Sequence, residues 1–312
     1  MTFLRALASL LITNAHYVGV YPTDLIANGG LLGDVIFFAV SGFCLTNIKQ
    51  PFPKWYAKRF LRIYPQIWVI TAIYLLAGLY PLGENTLFFY FAYPTYYHFV
   101  GSIMVLYIPY YVITRSDFLK KNFPAIAAAI AGIQLMIYVF WYDKSFYHID
   151  TVRSPMIWFL FFASMLLGGY FRVNAEHFIN RVRKRDRLIA AGFAVLYFGT
   201  KMLFSRYAAA SAWQIINQWV LFALLYFLFK CFAGIDQKLT ALPQKIKTVT
   251  EFLSKRTLEI YLVQYPLIPL LAGVAPFPLN WFAITAAILI SAYLLRFVSD
   301  GVGVLTRKWG LQ

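Results

Sequence analysis

The sequence predicts an all-α fold: a polytopic membrane helix bundle of about ten transmembrane helices with both termini on the cytoplasmic side. Three observations lead there. Hydrophobic residues fill 61% of the 312 positions and charged residues only 13%, at a mean hydropathy of +0.64. The apolar runs are too long and too frequent for a soluble core. The basic residues gather in short clusters between those runs, so the net charge of +16 is a topological signal and argues against a nucleic-acid partner. Short connections leave no room for an appended soluble domain, and residues 1–312 read as a single integral-membrane domain.

Span one covers residues 2–21 and is closed by Pro22. Arg5 followed by a short apolar stretch has the look of a signal peptide. No small-x-small cleavage site follows, and the stretch runs on through Asn14 and His16, so it is read as a retained span. Span two follows Gly29 and Gly30 and covers residues 31–48, about 27 Å of helix. The segment KQPFPKWYAKRFLRIYP then carries Lys49, Lys54, Lys58, Arg59 and Arg62, with Pro65 suited to the first turn of span three, which ends near residue 80. The stretch PLGENTLFFYFAYPTYYHF is too aromatic and too broken by Pro and Gly for a span, and reads as interfacial or re-entrant. Spans four to ten cover residues 99–114, 124–142, 155–170, 188–204, 212–232, 257–274 and 279–298. An even number of spans puts the termini on one side. That side carries 24 of the basic residues and the other only Lys144, Arg153, Lys201 and Arg206, which orients the termini to the cytoplasm.

Ionisable groups inside spans are costly and mark sites or pathways. His16 is the best candidate base, since imidazole titrates near neutral pH. It stands eleven positions after Arg5, on nearly the same helix face and roughly 16 Å along the axis. A packed histidine with both nitrogens satisfied, and a snorkelling Arg5, fit the same pattern. Asp34, near the outer end of span two, can orient an imidazole, pair with a cation, or cap the first helical turn. Ser41 and Gly42 fall mid-span, where small residues allow close helix approach. Glu259 and Gln264 lie in span nine, and the carboxylate there needs a partner. On the cytoplasmic side, Lys58, Arg59 and Arg62 at i, i+1 and i+4 form a cationic ridge suited to a polyphosphate ligand or to anionic lipid headgroups. Cys44 and Cys231 lack metal-ligand spacing, and no GxxxxGK[ST], HExxH or GxSxG motif occurs, so no metal is expected.

Taken together, these residues resemble the membrane-bound acyltransferase family 3, multi-span O-acyltransferases that modify bacterial surface polysaccharides. The resemblance is carried by Arg5 and His16 with ten positions between them, by Gly30, Gly33, Phe37, Phe38, Ser41, Gly42 and Phe43, and by Arg59, Arg62, Ile63 and Pro65. Weaker echoes are His98 in YYHFVGSIMVLYIPYY and the stretch EIYLVQYPL. The strong matches occupy residues 5–65, and the ten-span layout fits throughout. There are departures: Asp34 sits one place early relative to the family's GVDxFF, Gln264 replaces a late histidine, the Trp expected after His98 is absent, and no extracytoplasmic hydrolase-like domain is fused.

The resemblance implies a protein of the bacterial cytoplasmic membrane that moves an acetyl group from cytoplasmic acetyl-CoA, the co-substrate, to a sugar hydroxyl of a lipid-linked or exported glycan, with membrane lipid as its other partner. It makes His16 the general base or the transient acyl carrier, with Asp34 or Glu259 stabilising the imidazolium. Arg5, Lys58, Arg59 and Arg62 would hold the CoA phosphates, and Ser41, His98 and Gln264 are the substrate-side candidates. A flippase for a lipid-linked glycan is the alternative of another class, which acetyl-CoA dependence would separate. A glycan polymerase fits less well, because the outer stretches are short.

Overall fold

Each predicted span overlaps a helix, but the ends differ in ways that matter for the site. The computed structural model describes residues 1–80, 87–92, 98–152 and 155–308, and among these no strand occurs. The long helices are α1 (Thr2–Ala15), α2 (Gly30–Leu45), α3 (Phe52–Leu76), α5 (His98–Arg115), α7 (Phe123–Phe140), α8 (Ile157–Val173), α10 (Lys184–Arg206), α12 (Ile215–Ala233), α15 (Thr257–Ala272) and α16 (Leu279–Lys308). Shorter ones connect them: α4 (Leu87–Phe91), α6 (Asp117–Lys121), α9 (Ala175–Phe178), α11 (Ala208–Ser211), α13 (Asp236–Thr240) and α14 (Gln244–Lys255). Among the described residues, α7, α10, α12 and residues 279–298 of α16 are long and apolar enough to cross a bilayer. Helices α1, α2, α8 and α15 are apolar but have only 14, 16, 17 and 16 residues.

Three expectations are corrected or left aside. Span one stops at Ala15, before His16, because the chain turns there: Asn14 Nδ2 donates to the carbonyls of Ile26 and Asn28, at 2.8 and 3.0 Å, and folds the following loop back on the helix end. Pro65 is not in the first turn of its helix. Helix α3 begins at Phe52, where Pro51 is the N-cap and Pro53 sits in the first turn, so Pro65 lies in the interior. The basic segment and the apolar span are thus one continuous helix. Of the aromatic stretch 81–99, residues 87–91 form α4, while 81–86 and 93–97 lie outside the described residues, as does Arg153.

The chain divides into two compact units. The first comprises residues 34–48 and 108–247, together with Met1. In it α8 packs against α7 and α12, and α12 against α10. Helices α2 and α8 approach backbone to backbone: a Cβ at Gly42 would strike the carbonyl of Met165, and one at Gly168 the carbonyl of Ala39. Tyr110 Oη donates to the Gly42 carbonyl at 2.7 Å and Phe38 stacks on Phe161 at 4.2 Å, fixing the contact. This explains Gly42 as a packing residue. Gly42→Val is expected to cost more than the ~1–3 kcal/mol usual for overpacking, because the obstacle is backbone and cannot rotate away. Detergent-solubilised protein assayed by size-exclusion chromatography should then lose its monodisperse peak.

The second unit comprises residues 2–33, 49–107 and 248–312. Helices α1, α3 and α16 all pack on α15, and α3 packs on α16. Pro266 and Pro269 interrupt the hydrogen-bond ladder of α15; Pro266 offers no N–H to the Leu262 carbonyl, and Tyr74 Oη of α3 reaches the Leu262 and Val263 carbonyls at 3.5 and 3.4 Å. Tyr17 Oη bonds Thr285 Oγ1 at 2.8 Å and Trp281 Nε1 donates to Tyr21 Oη at 3.1 Å, tying the turn after α1 to α16.

Candidate functional site

The second unit holds nearly all of the ionisable groups singled out above. At the C-terminal end of α1 the last carbonyls have no helical N–H partner. The His16 N–H turns to Thr13 O at 3.0 Å, which leaves Ile12 O for the His16 side chain, and Nδ1 lies 2.7 Å from it. At that distance two lone pairs would repel, so Nδ1 carries the proton and Nε2 keeps its lone pair. Gln264 of α15, fully buried, places its amide 3.3 Å from the same Nδ1. With its Nε2 toward the ring, Gln264 would set one donor against another and leave its buried Oε1 without a hydrogen-bond partner. Turning the amide by half a rotation gives Nδ1–H a second acceptor and satisfies that oxygen. Gln264 therefore orients the ring.

The imidazole is exposed and lines a cavity of about 570 Å³ with Val18, Leu79, Tyr265, Pro266, Ile268, Pro269 and Leu270. Apart from the histidine the wall is apolar or aromatic. It suits an acyl chain or thioester more than a polar sugar.

A second cluster is cationic. Arg62 of α3 lies within electrostatic range of Arg59, Arg5 and Arg296. Glu259, with its side chain 2% exposed, pairs with Arg296 at 3.2 Å and feels Arg62. Arg296 also pairs with Asp300 at 3.0 Å. Arg59 Nε is buried without a hydrogen-bond partner. Glu259 is the buried carboxylate that meets this cluster, and Arg59 and Arg62 present guanidiniums of the kind that bind anionic oxygens. Lys58 is half-buried on the same helix but is not among the charges Arg62 feels.

The two carboxylates expected to stabilise the imidazolium have other surroundings in the structure. Glu259 is committed to Arg296, and His16 has Ile12 O and Gln264 as its hydrogen-bond partners. Asp34 is neither a cap nor a partner of the imidazole: it sits past the first turn of α2 in the first unit, 7% exposed, with no ion pair or hydrogen bond among the described residues. Ser41 is half-buried in the first unit. His98 opens α5 in the second unit. Arg296 is the residue that sequence reasoning missed. Its signal was a cation near the cytoplasmic end of an apolar span, but only packing shows its match with Glu259.

Comparison with known families matches residues 1–298 to a family model described as an acyltransferase domain, acyltransferase family 3. No curated protein and no solved structure matches the chain.

Proposed function

The chain belongs to acyltransferase family 3, and from that premise we propose that it is a membrane O-acyltransferase of the bacterial cytoplasmic membrane, moving an acetyl group from cytoplasmic acetyl-CoA to a sugar hydroxyl of a surface or exported polysaccharide, or of its lipid-linked precursor. The observation that carries the reading is the oriented His16, with Nδ1–H held by Ile12 O and its ring on an apolar cavity.

Arg5, Arg59, Arg62 and Arg296 bind the phosphates of the donor, and the buried unpartnered Arg59 Nε fits an anionic oxygen. Glu259 keeps Arg296 in place. The cluster lies on the cytoplasmic side by the charge bias, which orients both termini inward. Arg5 lies ten residues, about 15 Å of helix, before Ala15, the last residue of α1, and His16 follows it, a distance for the pantetheine arm to bridge. His16 Nε2 takes the proton of the sugar hydroxyl as its oxygen bonds the thioester carbonyl carbon. When the C–S bond breaks, the imidazolium returns that proton to the departing thiolate. The balance is one ester formed and one thioester broken. Gln264 and Ile12 O hold the ring so that the same nitrogen serves both transfers.

Two outcomes follow. Gln264→Leu is expected to lower kcat about tenfold, the value of one orienting hydrogen bond, with the donor KM unchanged, as read from thiol release on acetyl-CoA. Membranes from cells expressing the wild-type chain should transfer labelled acetyl from acetyl-CoA to polysaccharide. Absence of transfer at normal protein abundance would refute the reading and favour glycan transport.

A further inference from the structure

In the first unit the loop between α7 and α8 is held by side chains from the start of α12 and the residues just before it. Gln214 Oε1 accepts from the N–H groups of His148 and Ile149 at 2.8 and 2.9 Å, while its Nε2 donates to Phe146 O at 2.8 Å. Gln218 Nε2 donates to Ile149 O at 2.8 Å, and Ser211 Oγ to Lys144 O at 2.6 Å. A connector between two helices does not need such restraint. A recognition loop that must keep one conformation does.

The restrained loop carries a column of rings. His148 stacks on Tyr142 at 4.7 Å and on Phe146 at 4.3 Å, and Phe146 is 57% exposed. Two carboxylates and two further tyrosines accompany it. Tyr147 and Tyr142 both lie within electrostatic range of Asp150, and Tyr197 within range of Asp150 and Asp34. Lys201 pairs with Asp150 at 2.9 Å. Several of these groups are unmatched. Tyr197 is fully buried and its hydroxyl has no hydrogen-bond partner, and the Tyr142 hydroxyl is likewise unpartnered. Asp34 is buried with no ion pair or hydrogen bond among the described residues. Buried polar groups are normally matched, so several unmatched ones in one region call for an explanation.

We propose that this region, with Tyr142, Phe146 and His148 on the loop and Tyr197, Asp34 and Asp150 next to it, is a binding subsite for the acceptor sugar. Pyranose rings offer a face of C–H bonds that packs on aromatic rings and a rim of hydroxyls that pairs with carboxylates and phenols. Both kinds of partner are present here, on a preorganised loop. The charge bias places this loop outside the membrane, where an exported glycan would arrive. The inference rests on the glycan-acceptor reading and supplies its acceptor side.

The test uses the full chain in nanodiscs with two probes: alkali-de-O-acetylated surface polysaccharide from the source cell, and CoA. Phe146→Ala removes an exposed ring, and Tyr197→Phe removes one hydroxyl while keeping the ring. Each is expected to weaken polysaccharide binding about tenfold or more and to leave CoA affinity unchanged. Variants that bind the polysaccharide as the wild type does would overturn the subsite and leave the ring column as an interfacial anchor. A wild type that binds CoA but no polysaccharide would also overturn it, with the donor reading intact. A wild type that binds the polysaccharide through these residues but does not bind CoA would support the subsite and refute the donor reading.

Discussion

Replacing His16 with alanine is expected to lower acetyl transfer by about 10²–10⁴-fold, the range a positioned general base contributes, with membrane abundance and CoA affinity unchanged. The protein should tolerate the change. His16 lies beyond the last residue of α1 and is exposed, and its removal leaves two groups without this partner: the Ile12 carbonyl, at a helix end where such groups are commonly unmatched by the helix itself, and the Gln264 amide. The fall should therefore be in kcat. The measurement is O-acetyl content of surface polysaccharide together with thiol release in membranes. Wild-type acetylation by His16→Ala at equal abundance would remove this residue from the chemistry.

The second large effect is on donor binding. Each charge-assisted hydrogen bond to phosphate is worth about 1.5–3 kcal/mol, so removing both Arg59 and Arg62 should raise the apparent KM for acetyl-CoA by about 10²-fold or more, while kcat at saturation changes little. The salt dependence of KM should flatten in the variant, because fewer counter-charges meet the ligand. Lys58→Ala is the comparison from the same helix, a half-buried ammonium that lacks the bidentate geometry of the guanidiniums. Equal KM values for the double variant and wild type would assign the guanidiniums to lipid headgroups. Arg296→Ala is a poorer probe. It strands Glu259, whose side chain is 2% exposed, and breaking a buried pair costs several kcal/mol, here reduced because Arg296 is itself about one-third exposed.

Much of the fold was legible because hydropathy is written along the chain. Ten apolar stretches overlapped ten helices, and Asn14, Pro51 and Pro53 lay in the sequence as available punctuation for their ends. Pro65 misled because an interior proline and an N-terminal one look alike until the turn before it is known to be helical. Gln264 could be seen replacing a histidine, but not pointing at one.

The amino-acid sequence alone determined that this is an all-α membrane protein of acyltransferase type, and it named His16 and the α3 arginines as candidates. Those follow from composition, local spacing and motif order. Only the tertiary structure decided the partners. Gln264 meets His16 across 248 positions and Arg296 takes Glu259 across 37. The reason is physical: hydropathy places a helix without setting its rotation or neighbours, and a buried polar group is matched only by whichever helix packing brings within about 3 Å.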